Sequence, residues 1–210
     1  MDLYIVGAGN VGGYIAYHAA QMGNHTVRGF LDDDISKHHQ TCFGYPVLGN
    51  TDMLLQAKEG FDVIIAIASP MDKKKVVTQL KRNPHIHFPS LIHPSAWLGG
   101  KVSLQEGCII YPGVCINYET IIGSFVLINM NVAIGHNSTI NDFATLSPGV
   151  NCGGFTIVEE TAFIGIGATI KNNITIGKGS KIGAGSTVIQ DIPPLVTAVG
   201  NPAKVTAAHS

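Results

Sequence analysis

Charge is what this sequence has least of. Only 13% of its 210 residues are Asp, Glu, Lys or Arg, and their formal sum is −1 at pH 7. A chain so close to neutral projects no field that would gather nucleic acid or an anionic membrane, so neither partner is expected. No apolar run approaches the roughly 18 residues that a membrane-crossing helix needs, so no membrane insertion is expected. The opening Met1-Asp2-Leu3 lacks the basic stretch of a secretory signal. Cys42, Cys108, Cys115 and Cys152 show no C-x-x-C spacing. Scattered reduced thiols in a cytoplasmic protein, with no metal site, are therefore expected.

What the chain does have is apolar content, 45%, and 25 glycines. Together they suggest extended, tightly turning backbone around a sizeable core. Stepping by six from Leu98 reads Leu98, Leu104, Ile110, Ile116, Ile122, Ile128, Ile134, Ile140, Leu146, Cys152, Val158, Ile164, Ile170, Ile176, Ile182, Val188. All sixteen are apolar without an insertion, a run that chance would give about once in 10⁵. The position two before each is usually small or β-branched, as at Val114, Val132, Ala144, Ala162 and Ser180. Gly often follows the aliphatic residue, as at Gly123, Gly135, Gly165 and Gly183. The period reads as short strands meeting at tight corners, three hexads to a triangular coil of eighteen residues. About five such coils would stack at roughly the 4.8 Å spacing of paired strands.

The first 90 residues follow another pattern. An apolar strand from Leu3 to Val6 leads into Gly7-Ala8-Gly9-Asn10-Val11-Gly12 and a helical stretch to about Met22. A second strand, Thr26 to Leu31, ends in Asp32-Asp33-Asp34. Thr51 or Asp52 is placed to cap a short helix, Asp62 to Ala68 reads as a third strand, Pro70 to Arg82 as a helix, and Ile86 to Phe88 as a last strand. This alternation predicts a small Rossmann-like parallel sheet of α/β type. A G-x-G-x-x-G between strand and helix lets phosphate approach a helix N-terminus, and an acid some twenty residues on can accept from ribose hydroxyls. Gly9, Asn10, Val11, Asp32 and Asp33 are the nucleotide-binding candidates. No second βαβ half precedes the repeat, so the nicotinamide half of a dinucleotide has no evident home.

Both halves together resemble the bacterial sugar acetyltransferases that include nucleotide-amino-sugar N-acetyltransferases of the PglD type and sialic acid O-acetyltransferases of the NeuD type. The resemblance runs nearly end to end. It rests on Ile5-Val6-Gly7-Ala8-Gly9, Gly29-Phe30-Leu31-Asp32-Asp33-Asp34, Gly44-Tyr45-Pro46-Val47-Leu48-Gly49 and Leu91-Ile92-His93-Pro94-Ser95-Ala96. Ile134-Gly135-His136, Ser147-Pro148-Gly149-Val150, Ile182-Gly183-Ala184-Gly185-Ser186 and Gly200-Asn201-Pro202-Ala203-Lys204 carry it through the repeat. It implies that the coil is left-handed, and with it a fold in which a Rossmann-like domain (1–90) precedes an all-β left-handed parallel β-helix (91–192) and a C-terminal tail (193–210). It also implies a homotrimer with active sites between subunits, acetyl-CoA in the groove between neighbouring helices, and a nucleotide sugar held in the N-terminal domain.

Transfer from a thioester needs a nucleophile relieved of its proton, and a histidine that titrates near neutral pH suits that task. His136 is the expected base, while His93 in the I-H-P entry to the repeat suits a structural role. Relatives commonly carry an acid after the base, where this chain has Asn137. The eighteen-residue coil sets Glu119 beneath Asn137, so Glu119 is the candidate to do that acid's work, with Asp142 a weaker one. Thr145 stands where relatives often place a second histidine near the acetyl group. For acetyl-CoA the resemblance implies stacked corner positions: Asn129, Ser147, Gly165 and Gly183, with Thr145, Gly154, Ile166, Ala184 and Lys204 as further contacts. The two glycines leave room for a pantetheine arm on this reading.

The leading expectation is an acetyl-CoA-dependent N-acetyltransferase acting on a nucleotide-linked amino sugar. O-acetylation of sialic acid or another sugar and a non-catalytic nucleotide sensor stay open. A left-handed-helix carbonic anhydrase would need three histidines across two chains, and only His136 is suitably placed.

Overall fold

The computed structural model describes residues 2–209, and the chain divides into two units between Leu91 and Ile92.

The first unit is a six-stranded sheet of β1 (Asp2–Val6), β2 (Thr26–Leu31), β3 (Thr41–Cys42), β4 (Tyr45–Gly49), β5 (Phe61–Ile65) and β6 (Ile86–His87), with α1 (Asn10–His18) and α2 (Pro70–Leu80). The strand order is β3-β4-β2-β1-β5-β6. All neighbours run parallel except β3 against β4. The carboxyl-end halves of the central strands are apolar because both faces are covered there: Ile5, Phe30, Val63 and Ile64 are fully buried. Chain order reverses between β1 and β5, the place where open parallel sheets bind ligands at their carboxyl ends.

Three local expectations shift. The first helix gives way after His18 to a 3₁₀ turn, Ala19–Gln21. The expected helix after residue 51 is 3₁₀ over Thr51–Gln56, with Asn50 at its cap. The β3–β4 hairpin was not expected. Phe43 and Gly44 both take positive φ at its turn, +49° and +83°, the combination that matches strand twist in a two-residue hairpin.

The second unit is a left-handed parallel β-helix. Sixteen two-residue strands run from Trp97–Leu98 to Thr187–Val188, and each ends on one residue of the six-residue series. Strands pair in parallel at an offset of eighteen, as in Ile109–Leu127, Cys115–Ala133 and Ile121–Thr139. Three faces result. The first contains Leu127–Ile128, the second Ala133–Ile134 and the third Thr139–Ile140. Fourteen of the sixteen series residues are buried, the exceptions being Leu98 and Leu104 of the outermost coil. The small positions beside them are buried too: Val114, Thr120, Ala144 and Ser180 are fully so.

The glycines after the aliphatic residues have a steric cause. A Cβ on Gly135 would overlap the Gly154 nitrogen, and one on Gly165 would lie 2.6 Å from the Ile182 oxygen. The adjacent coil's backbone fills that space. After the last coil, Val196–Gly200 joins the first face beside Lys181–Ile182, and Ala203–Ala208 pairs antiparallel with it. Residues 196–208 of the expected tail are therefore two further strands.

Candidate active site

The corner between the second and third faces repeats one backbone device. Lys101, Glu119, Asn137, Phe155 and Asn173, eighteen residues apart, all adopt left-handed φ between 54° and 60°. That conformation costs an L-residue energy, least for Asn, and the corner rungs hold it. The Asn137 N–H donates to the Tyr118 oxygen at 3.0 Å, and the Phe155 N–H donates to the His136 oxygen at 2.9 Å. Side chains on this ladder are thereby stacked coil upon coil.

His136 occupies the middle of the ladder, half-buried. Its ring lies parallel to Tyr118 one coil below, centroids 5.1 Å apart at 7°. Phe155 meets it edge-on at 5.2 Å and 84°. Gly154 lies one coil above, and a Cβ there would come within 2.9 Å of His136 Nε2. Gly154, expected among the acetyl-CoA contacts, therefore has a second assignment: it clears space for the imidazole.

Nδ1 of His136 stands 2.9 Å from Asn137 Oδ1, Asn137 Nδ2 donates to Glu119 Oε2 at 2.9 Å, and Lys101 Nζ donates to Glu119 Oε1 at 2.8 Å. These bonds fix a protonation pattern. An ionised carboxylate only accepts, so the Asn137 NH₂ must face Glu119 and its carbonyl oxygen must face the imidazole. Nδ1 then carries the proton, and Nε2 presents its lone pair. The hydrogen bond from Lys101 and then that from Asn137 hold the Glu119 carboxyl below the usual carboxylate range. Glu119 is thus an acceptor throughout the neutral range. Asp142 is engaged at another corner, where its Oδ1 accepts from the Ser124 N–H at 2.8 Å. His93 shares a turn with Ser95, Nδ1 to Oγ at 2.8 Å.

The other expected acetyl-CoA residues lie elsewhere on the same chain. Asn129, Gly165, Ile166, Gly183 and Ala184 belong to the corner between the first and second faces, and Ile166 is 60% exposed. Thr145 is buried on the first face between Leu127 and Phe163, and Lys204 is exposed on the last strand. One coil's second face separates that corner from His136. The room expected at Gly165 and Gly183 is filled from within, at Gly183 by Val199 Cγ1, 2.6 Å from a Cβ. Cys152, an interior residue of the series, has its thiol pushed up to about 12 by burial and is no nucleophile.

In the first unit the glycine loop divides by cause. Gly7 takes φ +103°, and a Cβ on Gly12 would overlap the Gly7 oxygen, so both answer to the fold. Gly9 faces open space and caps α1 without any side-chain bond, which leaves the helix N-terminus available to an anion. The two carboxylates also divide. Asp32 Oδ2 accepts from the Ala8 N–H and from Lys37 Nζ, both at 2.8 Å, while Oδ1 accepts from the Asp34 N–H at 3.0 Å. Burial raises its pKa, but the bonds from Lys37, Asp34 and Ala8 prevail and lower it. Asp32 is therefore committed to holding the loop. Asp33, more exposed, accepts from the Thr51 N–H and hydroxyl through one oxygen, both at 2.9 Å.

Beside them opens a cleft of about 280 Å³ lined by Val6, Gly7, Leu31, Asp32, Asp33, Thr51, Ile67, Asp72, Lys75, Val76 and Gln79. Of the expected nucleotide contacts, Gly9, Asn10 and Val11 are not in its lining. Sequence reasoning missed Thr51, Lys75 and Gln79, although Asp72, Lys75, Val76 and Gln79 are spaced along one face of α2. It also missed Lys101, Tyr118 and Phe155, all of which lie on the eighteen-residue ladder. Among the described residues no group of three His, Cys, Asp or Glu is placed to hold a metal, and no helix is long and apolar enough to cross a membrane.

Residues 2–80 match the PglD N-terminal domain, and residues 155–190 match the bacterial transferase hexapeptide (six repeats). Several solved structures are similar over nearly the whole chain. The acetyltransferase domain of PglB from Neisseria gonorrhoeae is 26% identical, with 98% of this chain and 99% of that one covered at a TM-score of 0.90. A histidine-to-asparagine variant of perosamine N-acetyltransferase from Caulobacter crescentus, in complex with CoA and GDP-perosamine, is 27% identical, with 99% and 97% covered at 0.90. WeeI from Acinetobacter baumannii is 29% identical, with 98% and 100% covered at 0.89. No curated protein sequence matches the chain. The chain thus carries a PglD N-terminal domain ahead of transferase hexapeptide repeats, and it is similar over nearly its whole length to bacterial sugar acetyltransferases of the PglD type.

Proposed function

We propose that this protein is a cytoplasmic acetyl-CoA-dependent N-acetyltransferase that acylates the amino group of a nucleotide-linked amino sugar. The observation that carries the reading is the His136 corner: an imidazole clamped by rings, its Nδ1–H held by Asn137 and its Nε2 lone pair left for a substrate. The similar perosamine N-acetyltransferase, with CoA and GDP-perosamine bound, supports an amine acceptor on a nucleotide carrier.

In this reading the neutral amine attacks the thioester carbonyl, and Nε2 of His136 takes the proton the nitrogen sheds. The tetrahedral intermediate then expels the CoA thiolate, which receives that proton from the imidazolium. No covalent enzyme intermediate is needed. Backbone N–H groups at the corners serve the developing oxyanion. The nucleotide rests against Gly9, Asn10 and Val11 at the start of α1 and against Asp33, with Asp32 keeping the loop in place. A single chain separates the base corner from the corner of Asn129, Gly165, Ile166, Gly183 and Ala184. A site that uses both takes one corner from each of two copies, which favours a homotrimer with Lys204 also serving the acetyl-CoA side, while buried Thr145 stands behind that surface. Exposed Tyr118, Ile121, Phe155 and Ile157 beside the base suit such packing.

A thermal-shift series with UDP-, GDP-, dTDP- and CMP-linked amino sugars, with and without CoA, tests the assignment. One nucleotide series should raise Tm, and CoA should raise it further, because ligands that bind only the folded state stabilise it. Stabilisation by free sialic acid and by no nucleotide-linked amine would contradict the assignment.

A further inference from the structure

Resting on the assignment of His136 as the base, we propose that Glu119 is a positioning residue that sets the His136 tautomer by fixing which way the Asn137 amide faces, with Lys101 holding Glu119 in place. Donors and acceptors decide the tautomer. An isolated asparagine beside an imidazole can present either its oxygen or its NH₂, and the two choices select opposite tautomers. With the oxygen inward, Nδ1 is protonated and Nε2 is basic. With the NH₂ inward, Nδ1 must accept, and the proton moves to Nε2, where it blocks general-base action.

Nothing in Asn137 itself decides between these. The decision comes from Glu119 one coil below, 2.9 Å from Asn137 Nδ2, because a carboxylate has no proton to offer. Glu119 is itself held by Lys101 at 2.8 Å on the coil below that. Three successive coils of one corner thus supply cation, anion and amide in line with the imidazole. All three residues share the left-handed corner conformation, with φ of 60°, 54° and 54°, so their side chains leave the ladder from equivalent backbone positions.

The arrangement makes an unusual demand on residue 137. An aspartate there would be a sound partner for an imidazole on its own. Here it would set a second carboxylate against Glu119 at hydrogen-bond distance, where two anions repel. A carboxylate at position 137 becomes acceptable only if residue 119 gains a donor. The substitutions Asn137→Asp and Glu119→Gln should therefore each be harmful alone and compatible together. In the double variant the new amide at position 119 can donate to the new carboxylate at position 137, which in turn accepts from Nδ1–H. Asp tolerates the left-handed corner much as Asn does, and Gln matches Glu in shape, so neither change asks the backbone to move.

The test uses the full-length protein labelled with ¹⁵N-histidine. The His136 resonance is identified by its loss in His136→Ala, and its nitrogen shifts report the tautomer without any substrate. Wild type should show Nδ1–H at pH 8. Glu119→Gln should shift toward Nε2–H and lower kcat by roughly ten- to a hundredfold, the range for partners that orient an imidazole, with KM for acetyl-CoA little changed. The double variant should recover the Nδ1–H tautomer and most of the lost kcat. An unchanged tautomer in Glu119→Gln, or a double variant no better than the worse single one, would overturn the proposal. Failure of the wild type to acetylate any nucleotide amino sugar while the tautomer still follows residue 119 would instead defeat the proposed function and leave the relay standing.

Discussion

The two units build their polar sites by opposite means. In the β-helix, functional neighbours are separated by a constant interval, so Lys101, Glu119 and Asn137 meet because they are eighteen residues apart. In the sheet unit, Asp32 and Asp33 are adjacent in sequence but serve different partners: Asp32 the Ala8 N–H and Lys37, Asp33 the segment at Thr51. A periodic fold turns sequence distance into spatial contact by one rule. An α/β sheet turns it into contact through loops whose course the motif does not specify.

If a corner of the helix is a stack of fixed steps, crowding one step must disturb the next. Gly154→Ala places a methyl 2.9 Å from His136 Nε2. A misplacement of about 1 Å in a reacting group can cost on the order of 10²-fold in rate, and a loss of that size in kcat is expected with little change in Tm. A fully active Gly154→Ala would mean that the imidazole does not work from this position. The sheet unit should respond more mildly and through binding. Asp33→Asn should weaken nucleotide-sugar affinity about tenfold, as expected for a lost bond to a charged group, while Asp32→Asn should loosen the Gly7–Val11 loop first and affinity only as a consequence. Isothermal titration beside hydrogen exchange of that loop separates the two.

The smallest effect concerns pH. The Asp32 pKa is depressed, so its contribution to loop order is fully present above the unfolded value of about 3.9 and is lost only as pH falls through the lower folded value. Exchange of the Ala8 amide, once corrected for intrinsic rates, should therefore be flat from neutral pH to about pH 5 and rise only below pH 4. A rise near pH 6 would point to a different group.

This contrast also explains what could be read in the sequence. The six-residue series marked all sixteen strand ends, and its eighteen-residue multiple brought Glu119 to Asn137, because a coil has one register. What the period does not carry is direction. It set Gly165 above Ser147 but could not show that the next coil's backbone fills the space beside that glycine. Asn129 and His136 are close in sequence yet belong to different corners of the coil. In the sheet unit, the glycine loop and β2 were legible from strand, turn and acid spacing. The commitment of Asp32 to Ala8 and Lys37 was not, since it joins the glycine loop to a lysine that reaches back across the 3₁₀ turn Ile35–Lys37. The β3–β4 hairpin was hidden because Phe43, an aromatic residue, takes the positive φ usually left to Asn or Gly.

The most direct measurement is acetyl transfer itself. Purified protein is mixed with acetyl-CoA and, in turn, UDP-, GDP- and dTDP-linked amino sugars, and CoA release is followed together with the mass of the sugar product. One nucleotide amino sugar should gain a single acetyl group on nitrogen, and His136→Ala should lower kcat by roughly 10²–10⁴-fold while the protein remains folded, the usual contribution of a general base. Turnover that survives in His136→Ala, or acetyl found only on a hydroxyl of a free sugar, would contradict the account.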